Sequence, residues 1–192
     1  VLNDQRHVIF SLRNDAIEST QIFEYSAGFL NEIVDDLIKL KKLKISNPKN
    51  SDFDTKLKVL MGKSLNEKHF SEIISLNDTA LKTKITDLFN DSRIERTNIL
   101  GDEQSKEIEK RILLQSIDLN WKSHIQYLEQ LRQVIGLRSY GQRDPLVEYK
   151  KEAFELFSNL LEKLKLDYIT VLMNLKIVEH QKKEGGLKKD PE

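Results

Sequence analysis

The chain has 192 residues, with 31 basic and 31 acidic side chains, 7 Gly, 3 Pro and no Cys. That length holds one or two small domains with a real core, and the missing cysteine excludes disulfides, thiolate metal sites and a cysteine nucleophile, in keeping with a reducing compartment. Zero net charge argues against a dedicated nucleic-acid binder, so no nucleic-acid partner is expected. No run approaches the roughly 20 apolar residues that cross a bilayer, and no signal-peptide pattern opens the chain.

So few Gly and Pro predict long uninterrupted helices and an all-α fold. Leu2, Ile9 and Leu12 sketch one apolar helical face at the start. The chain starts without Met inside this pattern, which reads as the end of a longer helix and as a piece of a larger protein. Ile22, Phe29, Ile33, Leu37 and Leu40 recur at helical spacing, and Asn47 to Asp52 is a polar loop around Pro48. Leu57, Leu60 and Met61 predict a short helix ending near Gly62. Ser64 and Glu67 have capping-box spacing ahead of Phe70, Ile73 and Ile74. A further helix carries Leu81, Ile85, Leu88 and Phe89, so 16–100 reads as a small bundle.

The last third has the clearest pattern. Leu114, Ile117, Trp121, Ile125, Leu128, Leu131 and Ile135 are spaced by threes and fours, a core-facing stripe. Gly136 suits a helix C-terminus, Asp144 an N-cap, and Pro145 the first helical position. A second stripe follows at Leu146, Tyr149, Ala153, Phe157, Leu160, Leu164, Tyr168, Val171 and Leu175. Two stripes of similar length joined by a short loop predict a long antiparallel helical hairpin with a projecting tip. From Gln181 the chain is charged, with Gly185-Gly186 and Pro191, and is expected to be disordered.

Most chemical motifs dissolve on inspection. Gly62-Lys63-Ser64 ends like a phosphate loop, but Leu57 stands where the first glycine is needed. His7, His69, His124 and His180 include no pair at metal-ligand spacing, so no metal is expected, and His124 beside the apolar stripe reads as structural. Trp121 reads as a core aromatic. Asp35-Asp36 and Glu107/Glu109 read as solvated helix-surface charges. In the run from Lys39 to Lys44, Leu40 and Leu43 are expected to share a face while the lysines point outward. No catalytic residues emerge.

The hairpin tip differs. Leu137, Arg138, Ser139, Tyr140, Gly141, Gln142 and Arg143 crowd a connection that needs only a glycine and a cap to work. Tyr and Arg are enriched where proteins grip partners, because each offers apolar area and hydrogen bonds together. The alternative is that Tyr140 folds back on the helix ends. Composition leaves the two readings open.

From Leu131 to Lys150 the sequence LRQVIGLRSYGQRDPLVEYK closely resembles the two-helix finger of SecA, the ATP-driven motor family of bacterial preprotein translocation. Asn3 to Phe10 (NDQRHVIF), Leu114 to Asp118 (LQSID) with Trp121, Lys122 and His124, and Glu152 to Phe157 (EAFELF) resemble it too. The resemblance implies that 1–15 ends a long scaffold helix, 16–100 is a helical wing domain, and 101–180 is the rest of the helical scaffold with its finger, ahead of a tail at 181–192. It implies that the tip contacts the SecYEG channel and the unfolded preprotein, with the family's tip tyrosine at Tyr140. Ser139 departs from the glycine common there, which leaves the tip backbone less free.

No cofactor is expected in this segment. ATP and Mg would belong to nucleotide-binding domains elsewhere in the parent chain, which would partner this one, and a homodimer of the parent is compatible with the resemblance. The segment would not hydrolyse ATP, while the parent would be a protein-translocating ATPase. Its place would be the cytoplasm, peripheral to the inner face of the cytoplasmic membrane. The rival expectation is a stand-alone helical adaptor that binds partner helices in a groove.

Overall fold

A computed structural model describes residues 1–62, 65–137 and 144–177. These residues form seven helices and no strand. They are α1 (Leu2–Glu18), α2 (Ile22–Ser46), α3 (Asp52–Met61), α4 (Glu67–Ser75), α5 (Asp78–Leu100), α6 (Asp102–Ile135) and α7 (Pro145–Asn174). The all-α expectation holds.

Local chemistry explains the boundaries. Asn66 caps α4, its side-chain oxygen accepting the His69 N–H at 2.8 Å, and Asn77 caps α5 the same way through Ala80. The α4 cap is thus Asn66, two residues beyond the expected Ser64, which lies outside the described residues. Asp144 caps α7 by accepting the Leu146 N–H at 2.9 Å, and Pro145 takes the first helical position as expected. Gly62 closes α3 at φ +54°, and the Asn174 side chain of α7 packs against it and donates to the Leu60 carbonyl at 3.0 Å. Gly136 ends α6 with right-handed backbone angles.

At about 1.5 Å per residue, α6 and α7 are about 50 and 45 Å long. They run antiparallel. His124 lies against Phe157, Asn120 bonds Asp167, and Arg96 ties Glu109 of α6 to the Leu172 carbonyl of α7. The helix α1 runs antiparallel to α6, with its residues 5, 13 and 17 linked to His124, Asp118 and Lys110. The helices α2, α3 and α5 pack on the other end of the hairpin. One apolar cluster runs from Ile9 and Ala16 through Phe29, Phe53, Leu60 and Phe89 to Leu113, Leu164 and Leu172. A second, smaller cluster of Leu128, Leu131, Ile135 and Ala153, with Leu2, Tyr149 and Leu156 against it, holds the outer hairpin together.

The stripes are rotated slightly from their expected phase. On α6 the buried face runs through Leu113, Ile117, Asn120, His124, Leu128, Leu131 and Ile135, while Ile125 is exposed. On α7 Leu172 is buried where Val171 was expected, and Leu146 lies exposed. A helix packed on two sides buries a wide stripe, and polar residues can occupy its centre when they find partners.

Candidate functional site

The hairpin's outer end is the candidate site. Arg138, Ser139, Tyr140, Gly141, Gln142 and Arg143 lie outside the described residues. Of the expected tip set, Leu137 is described, and it is 70% exposed. Val134, Leu146 and Val147 are also exposed on the helix ends beside it. An apolar collar therefore sits at the C-terminal end of α6 and the N-terminal end of α7. Its core side is pinned by Leu131 and Ile135, so the collar residues face outward by default of helical geometry.

Inward from the tip, three helices meet at one polar node. The Gln5 side chain of α1 is buried; its Nε2 donates to the Ala153 carbonyl of α7 at 3.0 Å, and its Oε1 lies 2.8 Å from His124 Nε2 of α6. A carbonyl can only accept, which fixes the glutamine's orientation and requires His124 Nε2 to carry a hydrogen. The His124 ring lies 5.5 Å from the Trp121 ring and 5.7 Å from the Phe157 ring, centroid to centroid. Burial lowers its pKa below the ordinary 6.5, so the imidazole is neutral at pH 7. His124 is structural, as its place beside the stripe predicted. Trp121 is half-buried and packs against the main core.

At the inner end a second polar cluster overturns an expectation. Glu109 is not a solvated surface charge: its side chain is 0% exposed. Arg93 Nη2 reaches its Oε2 and Arg96 Nη2 its Oε1, both at 2.9 Å, and Ser26 donates to the same carboxylate at 3.0 Å. Arg96 also donates to the Leu172 carbonyl at 3.0 Å. Arg93 lies over the Phe23 and Phe89 rings at 4.3 and 4.8 Å. Burial, then the Glu109 charge, pushes the neighbouring Tyr168 hydroxyl's pKa well up, so it stays protonated. The signal was present in the sequence. Extending the α6 stripe back from Leu113 and Ile117 by fours lands on Glu109 and Ser105, and Arg93 and Arg96 share a face of α5. Asp35 and Asp36, by contrast, are surface groups paired with Lys82 and Lys56.

The basic run at 39–44 also departs from expectation. Lys41 is buried and donates to the Leu76 carbonyl, while Leu43 is exposed. Lys42 pairs with Asp78 and Lys44 with Asp54, so these charges are spent within the fold. Among the described residues no group of His, Cys, Asp or Glu side chains is placed to hold a metal ion, and no helix is long and apolar enough to cross a membrane. Gly62 serves as a helix terminator; Lys63 and Ser64 of the glycine-lysine-serine motif lie outside the described residues, as does the tail at 181–192.

The family model for the SecA wing and scaffold domain matches residues 1–176. The chain belongs to the SecA family. The protein translocase subunit SecA of Pelagibacter ubique (strain HTCC1062) is 62% identical over 179 residues, which cover 93% of this chain and 21% of that protein. The SecA subunits of Caulobacter sp. (strain K31) and Caulobacter vibrioides are 34% and 35% identical, each over 92% of this chain and 20% of their own length. This SecA segment therefore spans about a fifth of the curated relatives it matches. The match takes in α1 to α7 together, so the polar node at Gln5 and the cluster at Glu109 both fall within the SecA wing and scaffold.

Proposed function

We propose that this chain is the wing and scaffold part of a SecA-type translocase, and that its α6–α7 hairpin is the finger that meets the SecYEG channel and the unfolded preprotein. The observation that carries the reading is the family match over residues 1–176, which includes a hairpin about 50 Å long with an exposed apolar collar. ATP and Mg bind nucleotide-binding domains elsewhere in the parent, and the motion they drive reaches the tip through the helices described above. This segment contributes no catalytic group. The parent works in the cytoplasm, peripheral to the inner face of the membrane.

Tyr140 presents an aromatic ring with a polar end, which grips unfolded chain of any sequence through apolar area while its hydroxyl finds main-chain groups. Arg138 and Arg143 seat the tip at the channel mouth. Replacing Tyr140 with Ala in the full-length parent lowers preprotein transport into membrane vesicles by more than it lowers ATP hydrolysis without preprotein. Transport unchanged by Tyr140→Ala would sink this reading.

A further inference from the structure

A finger that transmits motion must keep a fixed register on the helix packed along it. Three polar links pin α1 along α6. Lys110 Nζ donates to the Ile17 carbonyl at 2.6 Å, and Arg13 pairs with Asp118 at 2.9 Å. Both of these are exposed, and exposed pairs contribute little and exchange readily with water. The third link is Gln5, which is buried and engages both arms of the hairpin at once.

The apolar contacts around Gln5 resist separation of the helices but tolerate axial slip, because burial is non-directional. Hydrogen bonds are directional. A slip of one residue, about 1.5 Å, would take the Gln5 amide out of bonding geometry with the Ala153 carbonyl and the His124 ring together. Both partners are buried, so water would not replace the lost bonds. Ala153 suits this arrangement: a side chain of one carbon lets the Gln5 amide reach the α7 main chain. The contact also lies toward the tip, about 12 Å along α7 from Pro145, where a register error passes directly into tip position.

We propose that Gln5 is a positioning residue that fixes the axial register of the hairpin on α1 by bridging the Ala153 carbonyl and the His124 ring, so that displacement of α1 reaches the tip undiminished. The inference rests on the finger reading above.

The test measures preprotein translocated per ATP hydrolysed by the full-length translocase. Gln5→Met keeps length and packing but removes both hydrogen bonds. His124→Leu removes the donor to Gln5, while His124→Gln supplies an amide donor in its place. Gln5→Met and His124→Leu lower the ratio by about threefold or more, within the range by which packed networks modulate coupling, and His124→Gln restores it toward the wild-type value. Leu60→Ala, a truncation in the buried core of α3 remote from the node, leaves the ratio unchanged although it destabilises the fold. An unchanged ratio in Gln5→Met and His124→Leu overturns the proposal, as does an equal fall in Leu60→Ala. If Tyr140→Ala abolishes transport while Gln5→Met leaves the ratio intact, the positioning role fails and the finger reading stands.

Discussion

A carboxylate without solvent contact must be neutralised where it sits, because bringing a bare charge into a low-dielectric interior is costly. Glu109 meets that requirement with two guanidinium groups and a hydroxyl drawn from α5 and α2. Removing it strands Arg96, which is itself almost fully buried, and Arg93 beside it. Glu109→Ala is therefore expected to cost about 3–5 kcal/mol, as breaking one side of a buried ion pair does. Glu107, two residues away, is 61% exposed and pairs with Arg111 at 3.9 Å. Glu107→Ala is expected to stay within about 0.5 kcal/mol. Urea unfolding of the two variants side by side checks the contrast; equal costs would mean the Glu109 cluster does not hold in solution. The two glutamates look alike in the sequence because residue type alone does not report a partner. Phase does: Glu109 falls on the α6 stripe and Glu107 does not.

At the scale of elements, helix ends were more legible than helix faces. Asp144-Pro145 specified the start of α7 because a cap and a proline each have one favoured place in a helix. Asn66 caps α4 where Ser64 was expected, because both are good N-cap residues and the capping-box spacing from Glu67 alone does not choose between them. Lys41 could not be read from the run of lysines: its burial depends on the Leu76 carbonyl, which arrives from 35 residues away. Gly62 illustrates an end that locks two elements. At φ +54° and ψ −135° it occupies backbone space that L side chains rarely adopt, and a Cβ there would lie 2.6 Å from Asn174 Oδ1. Gly62→Ala is expected to destabilise the fold by about 1–3 kcal/mol and to loosen the C-terminal end of α7, since Asn174 must move. Amide hydrogen exchange provides the check: faster exchange near Thr170 to Asn174 is the expected result, and unchanged protection there would contradict the proposed lock between Gly62 and Asn174.

For the whole molecule, the two apolar clusters divide the labour. The larger one fuses α2 to α5 onto the inner hairpin, and the smaller one carries the hairpin outward, where Leu2 of α1 packs against it and Gln5 of α1 bonds its Ala153. The helical bundle and the hairpin were both visible as periodicity, and the resemblance at residues 131–150 pointed to the family that the match over residues 1–176 then showed. What periodicity could not give was the anchorage. Gln5, His124 and Ala153 are separated by more than a hundred residues in places, and no spacing rule joins a glutamine on one helix to a carbonyl on another. Beyond that anchorage lies the proposed contact of the finger tip with the channel and the preprotein. It is tested most directly by placing a photo-crosslinking amino acid at position 140 of the full-length translocase and stalling a preprotein in transit. The account predicts cross-links from position 140 to both the channel and the preprotein; cross-links confined to the translocase's own chain would contradict it.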